Sequence, residues 1–456
     1  MIELEINEKE TIKDLVERSR KAQEEFQFAS QELVDKISRS ICKVIYDHAE
    51  ELAKMAVEET KLGKVEDKIA KNKTKALLIW NSIKDKKTVG VINTDLEGIV
   101  ELAKPVGVVA SICPTTNAIV TPLSNTAFAL KTRNSIIFSP HPSAKKCAIY
   151  CANLFRNILK ENGVNPDLVL TITVPSLEKT NELMANCDVV VATGGMGMVK
   201  SAYSSGKPAF GVGAGNVQCI IDRGVNYEET VKKIITGRSF DNGIICSGEQ
   251  MAIIPQEEKE TIINSFVNNG GYIANEDETA RLREILFPQG KINKKAVGKD
   301  VRIIAEMANL SIEETTKIIV VPLTKSGTED VLCKEKMFPV IGLITYQTLD
   351  DAVQIALSNL RNEGIGHSVA FHSNDKQHIL DVALQMPVSR FIVNQASSGA
   401  AGGSCYNNLT PTTTLGCGSW GNNSISDNFT YKYLMNTTRI AFPLDTPRVL
   451  EDMLED

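Results

Sequence analysis

From residue 106 onward the chain alternates short apolar runs with amphipathic stretches, and few architectures accept that order. The run at 106–112 within "KPVGVVASICP" is continuously apolar, as expected of a strand buried on both faces of a parallel sheet. "NSIIFSP" reads as a second strand, and "SAKKCAIYCANLFRNILKEN" as a helix that stops at Gly163. "DLVLTITV" (strand), "SLEKTNELMAN" (helix) and "CDVVVATGG" (a strand running into glycines) continue the pattern. The same style resumes with "QMAIIP", "TIINSFVNN", "GLITYQ", "DDAVQIALSN", "HSVAFHS" and "SRFIVNQ". Repeated strand–helix–strand units predict an α/β protein with a Rossmann-type parallel sheet.

The segments outside that alternation predict the rest of the layout. Over 11–62, Leu33, Val34, Ile37, Ile41, Val44, Ile45, Leu52 and Ala53 recur at helical spacings of three and four. Two β-rich runs, 88–92 and 98–102, flank Asn93-Thr94-Asp95 and read as a hairpin. Its unpaired edges are safest when another chain covers them, which predicts a homodimer or homotetramer. A polar Gly- and Thr-rich tract at 397–426 is too long for a plain connector and belongs to a site or an interface. At 456 residues the chain exceeds one simple core. The expected division is a dinucleotide-binding domain at 1–86 and 106–225, a catalytic α/β domain at 226–426, and an oligomerisation arm at 87–105 and 427–456.

A net charge of −6 with no basic block argues against a nucleic-acid binder. The acidic, amphipathic start lacks the apolar core of a signal peptide, and no stretch is apolar and long enough to span a bilayer. Ten scattered cysteines suggest reduced thiols in a cytoplasm. Cys147 and Cys151 share a helical face, but no second ligand pair accompanies them, so no metal site is expected.

Several stretches have the residue types that chemistry needs, each with a plainer reading beside it. Cys246 in "FDNGIICSGEQ" stands between an apolar pair and Ser247-Gly248, where the backbone bends and a sulfur is reachable. A free cysteine acting as a small buried hydrophobe fits there too. "VVVATGGMGMVKSAYSSGKP" is a strand, a glycine turn and a helix start of the kind that receives phosphate, or simply a tight turn. Asn117 in "CPTTNAIVTP" is an amide donor or a turn asparagine. "SPHPSAKK" ends a strand near ribose or phosphate, or opens a solvated helix. "FGVGAGNVQCIID" spaces Gly211, Gly213 and Gly215 in alternation, for close backbone approach or for a bulge. His367 in "GIGHSVAF" is catalytic or structural.

Taken in this order, the stretches resemble the aldehyde dehydrogenase superfamily, and within it the coenzyme A-acylating branch. "YDHAEELAKMAVEETKLGKVEDKIAKN", "IWNSIKDKKTVGVI", "DVLCKEKMFPV" and "LTPTTTLGCGSWGNNSISDN" are most similar to CoA-dependent succinate-semialdehyde dehydrogenases. The resemblance implies that Cys246 is the nucleophile, that the Asn117 amide and the Cys246 N–H hold the oxyanion, and that His367 moves protons. It places Pro140 and His141 along the adenosine, Gly194, Gly195 and Gly213 near the dinucleotide, and Glu335 near the nicotinamide ribose. No acid stands at 143–146, where NAD-preferring hydrolytic relatives often carry one. Ser143 or Lys145 would then meet a 2′-phosphate, which makes NADP(H) the expected cofactor and NAD(H) the alternative. Coenzyme A is the co-substrate. Val212, or Gly211 if the turn differs by one residue, falls where hydrolytic members carry a glutamate that activates water. Arg390 and the loop 404–414 are the candidates for a distal carboxylate. The runner-up activity is CoA-dependent acetaldehyde oxidation with NAD(H).

Overall fold

The structure, a computed structural model, describes residues 11–445. Two parallel sheets form its frame. The first has five strands in the order Val169–Thr171, Ser135–Pro140, Val108–Cys113, Val189–Thr193, Ala209–Val212. Every residue of its two central strands, Val108–Cys113 and Ser135–Pro140, is buried, which is why they read as continuous apolar runs. The second sheet has seven strands in the order Gly271–Ile273, Ile318–Pro322, Val340–Tyr346, Glu249–Pro255, Val217–Ile221, Gly366–His372, Val388–Val393.

The first sheet reverses its winding between Val108–Cys113 and Val189–Thr193, which pair directly. Ligands in open α/β sheets bind in the crevice beyond the carboxyl ends of the strands at such a switch. The residues that follow those two strands are Pro114 to Asn117 and Gly194-Gly195. Helices cover both faces of the first sheet: Ile12–Phe26 and Leu177–Asn186 share one apolar cluster with it, and Gln31–Asp47, Ala49–Thr60, Val65–Ile83 and Lys145–Glu161 share the other. The helix Gln31–Asp47 starts where the Ser30 side chain accepts from the Leu33 N–H, and it buries Val34, Ile37, Ile41 and Ile45 on one face.

The third sheet is the arm. Gly90–Asn93 pairs antiparallel with Ile99–Pro105, which pairs in turn with Met435–Ala441. Both outer strands keep a free edge among the described residues. Residues 446–456 of the expected arm and 1–10 of the first domain lie outside the described residues.

One boundary differs from expectation. The chain crosses between the sheets at 213–216, so Val217–Ile221 pairs with Glu249–Pro255 and Gly366–His372 in the second sheet. A division after 225 had assigned that strand to the first. The strand Ala209–Val212, hidden by glycines, is the one that completes the first sheet. Between 270 and 330 the structure adds two strands and the helices Glu276–Leu286 and Val301–Met307, which the apolar patterning had not singled out.

Candidate active site

Cys246 follows a tight turn that the surrounding side chains hold open. Asp241 and Asn242 both sit in the left-handed region, at φ 52 and 53, a conformation that persists only when neighbours over-determine it. The Asp241 carboxylate accepts from Lys64 N at 3.0 Å, Lys68 Nζ at 2.9 Å and Lys71 Nζ at 2.7 Å. The Asn242 amide donates to Gly298 O at 3.0 Å. On the other side, a Cβ at Gly215 would come within 2.0 Å of the Cys246 carbonyl oxygen. Glycine there lets the sheet-to-sheet crossing press against the nucleophile loop.

The half-buried Cys246 stands where two cavities meet, one of about 770 Å³ and one of about 430 Å³. Asn117, Cys246 and Thr413 line both. A thiol and a neutral amide thus share the neck between two chambers, as nucleophilic addition to a carbonyl with oxyanion stabilisation requires.

The smaller chamber lies at the switch point. Pro140, His141, Gly194, Gly195, Val212, Gly213 and Glu335 are on its wall. The helix Met196–Tyr203 starts directly after Gly195, and no atom lies within 4 Å of where a Cβ at Gly195 would stand. Free N–H groups at a helix start with open space above the glycine fit a pyrophosphate. Ser143 and Lys145 lie outside this wall; the Ser143 N–H donates to His141 Nδ1 at 3.1 Å. Glu335 Oε1 accepts from Gly215 N at 3.2 Å, and burial, then the Glu363 carboxyl, push it up to about 8. These residues fit a nicotinamide dinucleotide reaching toward Cys246.

The larger chamber is bounded by the helix Val65–Ile83 and by the tract after 396. Lys71, Lys75 and Lys233 line it, and its wall contains no carboxylate among the described residues. Lys75 Nζ donates to Gly402 O at 2.6 Å; burial, then Lys71, lower its pKa to about 8. Ser404, Cys405, Tyr406, Thr412 and Thr413 of the loop 404–414 are on the same wall.

The family model for the aldehyde dehydrogenase family matches residues 1–405. The chain belongs to that family. It is 48% identical to the succinate-semialdehyde dehydrogenase (acetylating) of Clostridium kluyveri over 95% of this chain and 96% of the relative. It is 39% identical to the aldehyde-alcohol dehydrogenase of Clostridium acetobutylicum over 94% of this chain, but spans only 51% of that longer protein. Among solved structures, an acetylating aldehyde dehydrogenase from Geobacillus thermoglucosidasius superposes with a TM-score of 0.93 at 39% identity, covering 96% of this chain and 98% of that one. The protein is an aldehyde dehydrogenase of the acylating branch.

In this aldehyde dehydrogenase the Cys246 thiol is not activated at rest. Burial, then the Glu335 carboxyl and the Cys417 thiol, push it up to about 12, while Arg390 and the Cys246 N–H pull the other way. The sequence shows no cation beside Cys246; the fold brings the charges of Arg390 and Lys75 near it from far along the chain.

Three expected residues or surroundings look different in the structure. His367 lines neither chamber, and its ring is fully buried with Nδ1 3.1 Å from Ser368 Oγ. Burial, with Arg390 adding to it, pushes the ring down to about 3, and its Nε2 has no partner among the described residues. Its Cε1 lies 3.2 Å from where a Cβ at Gly215 would stand, beside the Cys246 carbonyl. Arg390 is buried too and donates to His367 O and Gly416 O at 2.7 Å each, so it is committed to the backbone and is absent from the substrate wall. Third, an acid does stand near 143–146. Glu59, from the helix Ala49–Thr60, accepts from Lys146 N at 2.7 Å and Cys147 N at 2.9 Å. It was invisible because it lies 87 residues away in sequence from the amide it meets. Lys71 and Lys75 were missed because "KNKTK" reads as a solvated helix face; four-residue spacing signals a shared face and does not say what that face meets.

Proposed function

We propose that the protein interconverts succinyl-CoA and succinate semialdehyde through a thioester on Cys246. The Cys246 sulfur adds to the aldehyde carbon as its proton passes to water, and the carbonyl oxygen becomes an oxyanion facing Asn117 and the Cys246 N–H. The nicotinamide cofactor supplies the hydride acceptor in this direction and the donor in reverse. Loss of hydride leaves the acyl group on sulfur, and the CoA thiolate then displaces Cys246 to give acyl-CoA.

The observation that carries the acyl choice is the substrate wall. Three lysines with no carboxylate among them suit an acyl chain with an anionic end, and Lys75 makes no ion pair among the described residues. Lys71 is already paired with Asp241, which leaves Lys75 and Lys233, and of these we assign Lys75, on the helix that also bears Lys71, as the anchor for the distal carboxylate. An acetyl group would leave that ammonium in the chamber with no anion to meet.

For the cofactor we favour NADP(H). Lys145 and Lys146 begin the helix beside His141, and the charge of Lys294 is felt at the His141 ring. Glu59, though close, is taken up by two backbone N–H groups. The NAD(H) alternative rests on that same carboxylate, which would oppose a 2′-phosphate. The ten free cysteines support a reducing, cytoplasmic setting, and no helix among the described residues is long and apolar enough to cross a membrane. The free strand edges of the arm, with Val91, Ile440 and Phe442 exposed, support a homodimer or homotetramer, which light scattering tests.

The assay is purified protein with succinyl-CoA or acetyl-CoA, each with NADPH or NADH, followed by nicotinamide absorbance. The reading requires the highest kcat/KM for succinyl-CoA with NADPH. Acetyl-CoA as the better substrate would overturn the acyl assignment, and NADH as the better donor would overturn the cofactor assignment.

A further inference from the structure

Lys71 Nζ stands 2.7 Å from Asp241 Oδ2, 3.2 Å from Asn117 Oδ1 and 3.3 Å from the Thr116 carbonyl oxygen. All three ammonium protons therefore have acceptors. An ammonium group only donates, so the Asn117 atom facing it has to be the carbonyl oxygen. That fixes the amide flip, and the two N–H donors of Asn117 are left for the rest of its surroundings, which include the neck it shares with Cys246.

The third partner makes the arrangement more than a local contact. Asp241 lies five residues before Cys246, in the strained turn that sets the nucleophile loop, and its carboxylate is fully buried. Burial works to raise that carboxyl, and Lys71 and Lys68 more than offset it, so it sits below the usual carboxylate value. Gly63 has no room for a Cβ, which would fall 1.9 Å from Asp241 Oδ1, so the carboxylate is held in place by packing as well as by charge. Asn117 follows a strand of the first sheet, Asp241 and Cys246 precede a strand of the second, and Lys71 on the helix Val65–Ile83 ties the two together.

We propose that Lys71 is a positioning residue for the oxyanion site: it orients and polarises the Asn117 amide and keeps it in register with the Cys246 loop through Asp241. This rests on the Cys246 thioester reading, but on no particular acyl group or cofactor. With Lys71 replaced, the amide loses its fixed flip and a competing orientation turns the carbonyl oxygen toward the developing negative charge. Since removal of one oxyanion donor costs on the order of a hundredfold or more in kcat, partial misorientation should cost roughly tenfold to a hundredfold.

The test is Lys71→Met in the native background and in an Asn117→Ala background, with kcat and KM for acyl-CoA reduction, a cofactor titration and a thermal melt for each. Lys68 still neutralises Asp241 in Lys71→Met, so the fold is kept. Should that variant fail to fold, Lys71→Arg, which retains a cation against Asp241, takes its place in the same comparison. We expect kcat to fall in the native background with KM and cofactor affinity little changed, and the same substitution to alter kcat less than about twofold once Asn117 is alanine. An equal loss in both backgrounds, or a rise in KM with kcat intact, would overturn the proposal. Asn117→Ala should keep residual turnover, since loss of one oxyanion donor costs on the order of a hundredfold or more, while Cys246→Ala should keep none, which belongs to the thioester reading and is measured separately; full activity of Asn117→Ala would overturn both.

Discussion

Replacing Lys75 with methionine removes the ammonium and keeps the aliphatic stem that lines the larger chamber. A hydrogen bond to a charged group contributes about 1.5–3 kcal/mol, which corresponds to roughly 10- to 150-fold in kcat/KM. The upper part of that range fits a cation already stripped of much of its water, as its pKa near 8 shows. Butyryl-CoA has a carbon chain of the same length without the carboxylate and serves as the internal control. In Lys75→Met the specificity constant for succinyl-CoA should fall by about that factor, while that for butyryl-CoA holds or rises. Lys75 also supports the Gly402 carbonyl, and damage to that loop would lower both substrates together. Equal losses for the two, or an unchanged ratio between them, would refute the role given to Lys75.

The same lysine implies a pH dependence. Its ammonium is present below about pH 8 and lost above it, so the preference for succinyl-CoA over butyryl-CoA should decline between pH 7 and pH 9.5 and be absent from the Lys75→Met profile. A ratio flat across that interval in the native enzyme would contradict it. Cys246→Ala should abolish aldehyde oxidation and acyl-CoA reduction while cofactor titration and thermal melting stay near native values; more than trace turnover would make another residue the nucleophile. Val212 lies on the wall of the smaller chamber and in the apolar cluster against which Cys246 packs. Val212→Glu should therefore raise CoA-independent formation of free acid, seen as succinate in the absence of CoA, and no increase would show that a carboxylate there cannot serve water.

The parallel strands were legible because each is buried on both faces and so needs no alternation: Val108–Cys113 and Ser135–Pro140 are apolar end to end, or nearly so. Ala209–Val212 was hidden because Gly211 belongs to it, and a Cβ there would meet Val199 and Tyr203 within about 3 Å. The glycine is a packing requirement inside a strand, yet it reads as a turn. Residues 271–273 and 318–322 escaped notice for another reason: the first strand is only three residues long, too short to show a period. At the site, Cys246, Asn117 and Glu335 were singled out from the motifs around them, and all three line the chambers. What could not be read was which groups distant in sequence surround them. The Lys71–Asp241 contact spans 170 residues and the Lys75–Gly402 contact 327, and no local pattern reports either. His367 differs in the opposite way: its glycine neighbours suggested access, and the fold buries its ring completely.

The fate of the thioester decides which reaction the enzyme performs. Glu335 is the one carboxylic acid on the walls of the two chambers among the described residues, it is engaged by the Gly215 N–H, and its pKa near 8 leaves it mostly protonated at neutral pH. With valine at 212, water has no base poised against the acyl group, whereas a CoA thiolate needs none. Succinate semialdehyde should therefore be oxidised in step with added CoA, with succinyl-CoA recovered in equal amount to the reduced nicotinamide. Without CoA, reduction of nicotinamide should stop at about one equivalent per active site. Continuous oxidation without CoA that yields free succinate at a comparable rate would contradict the account.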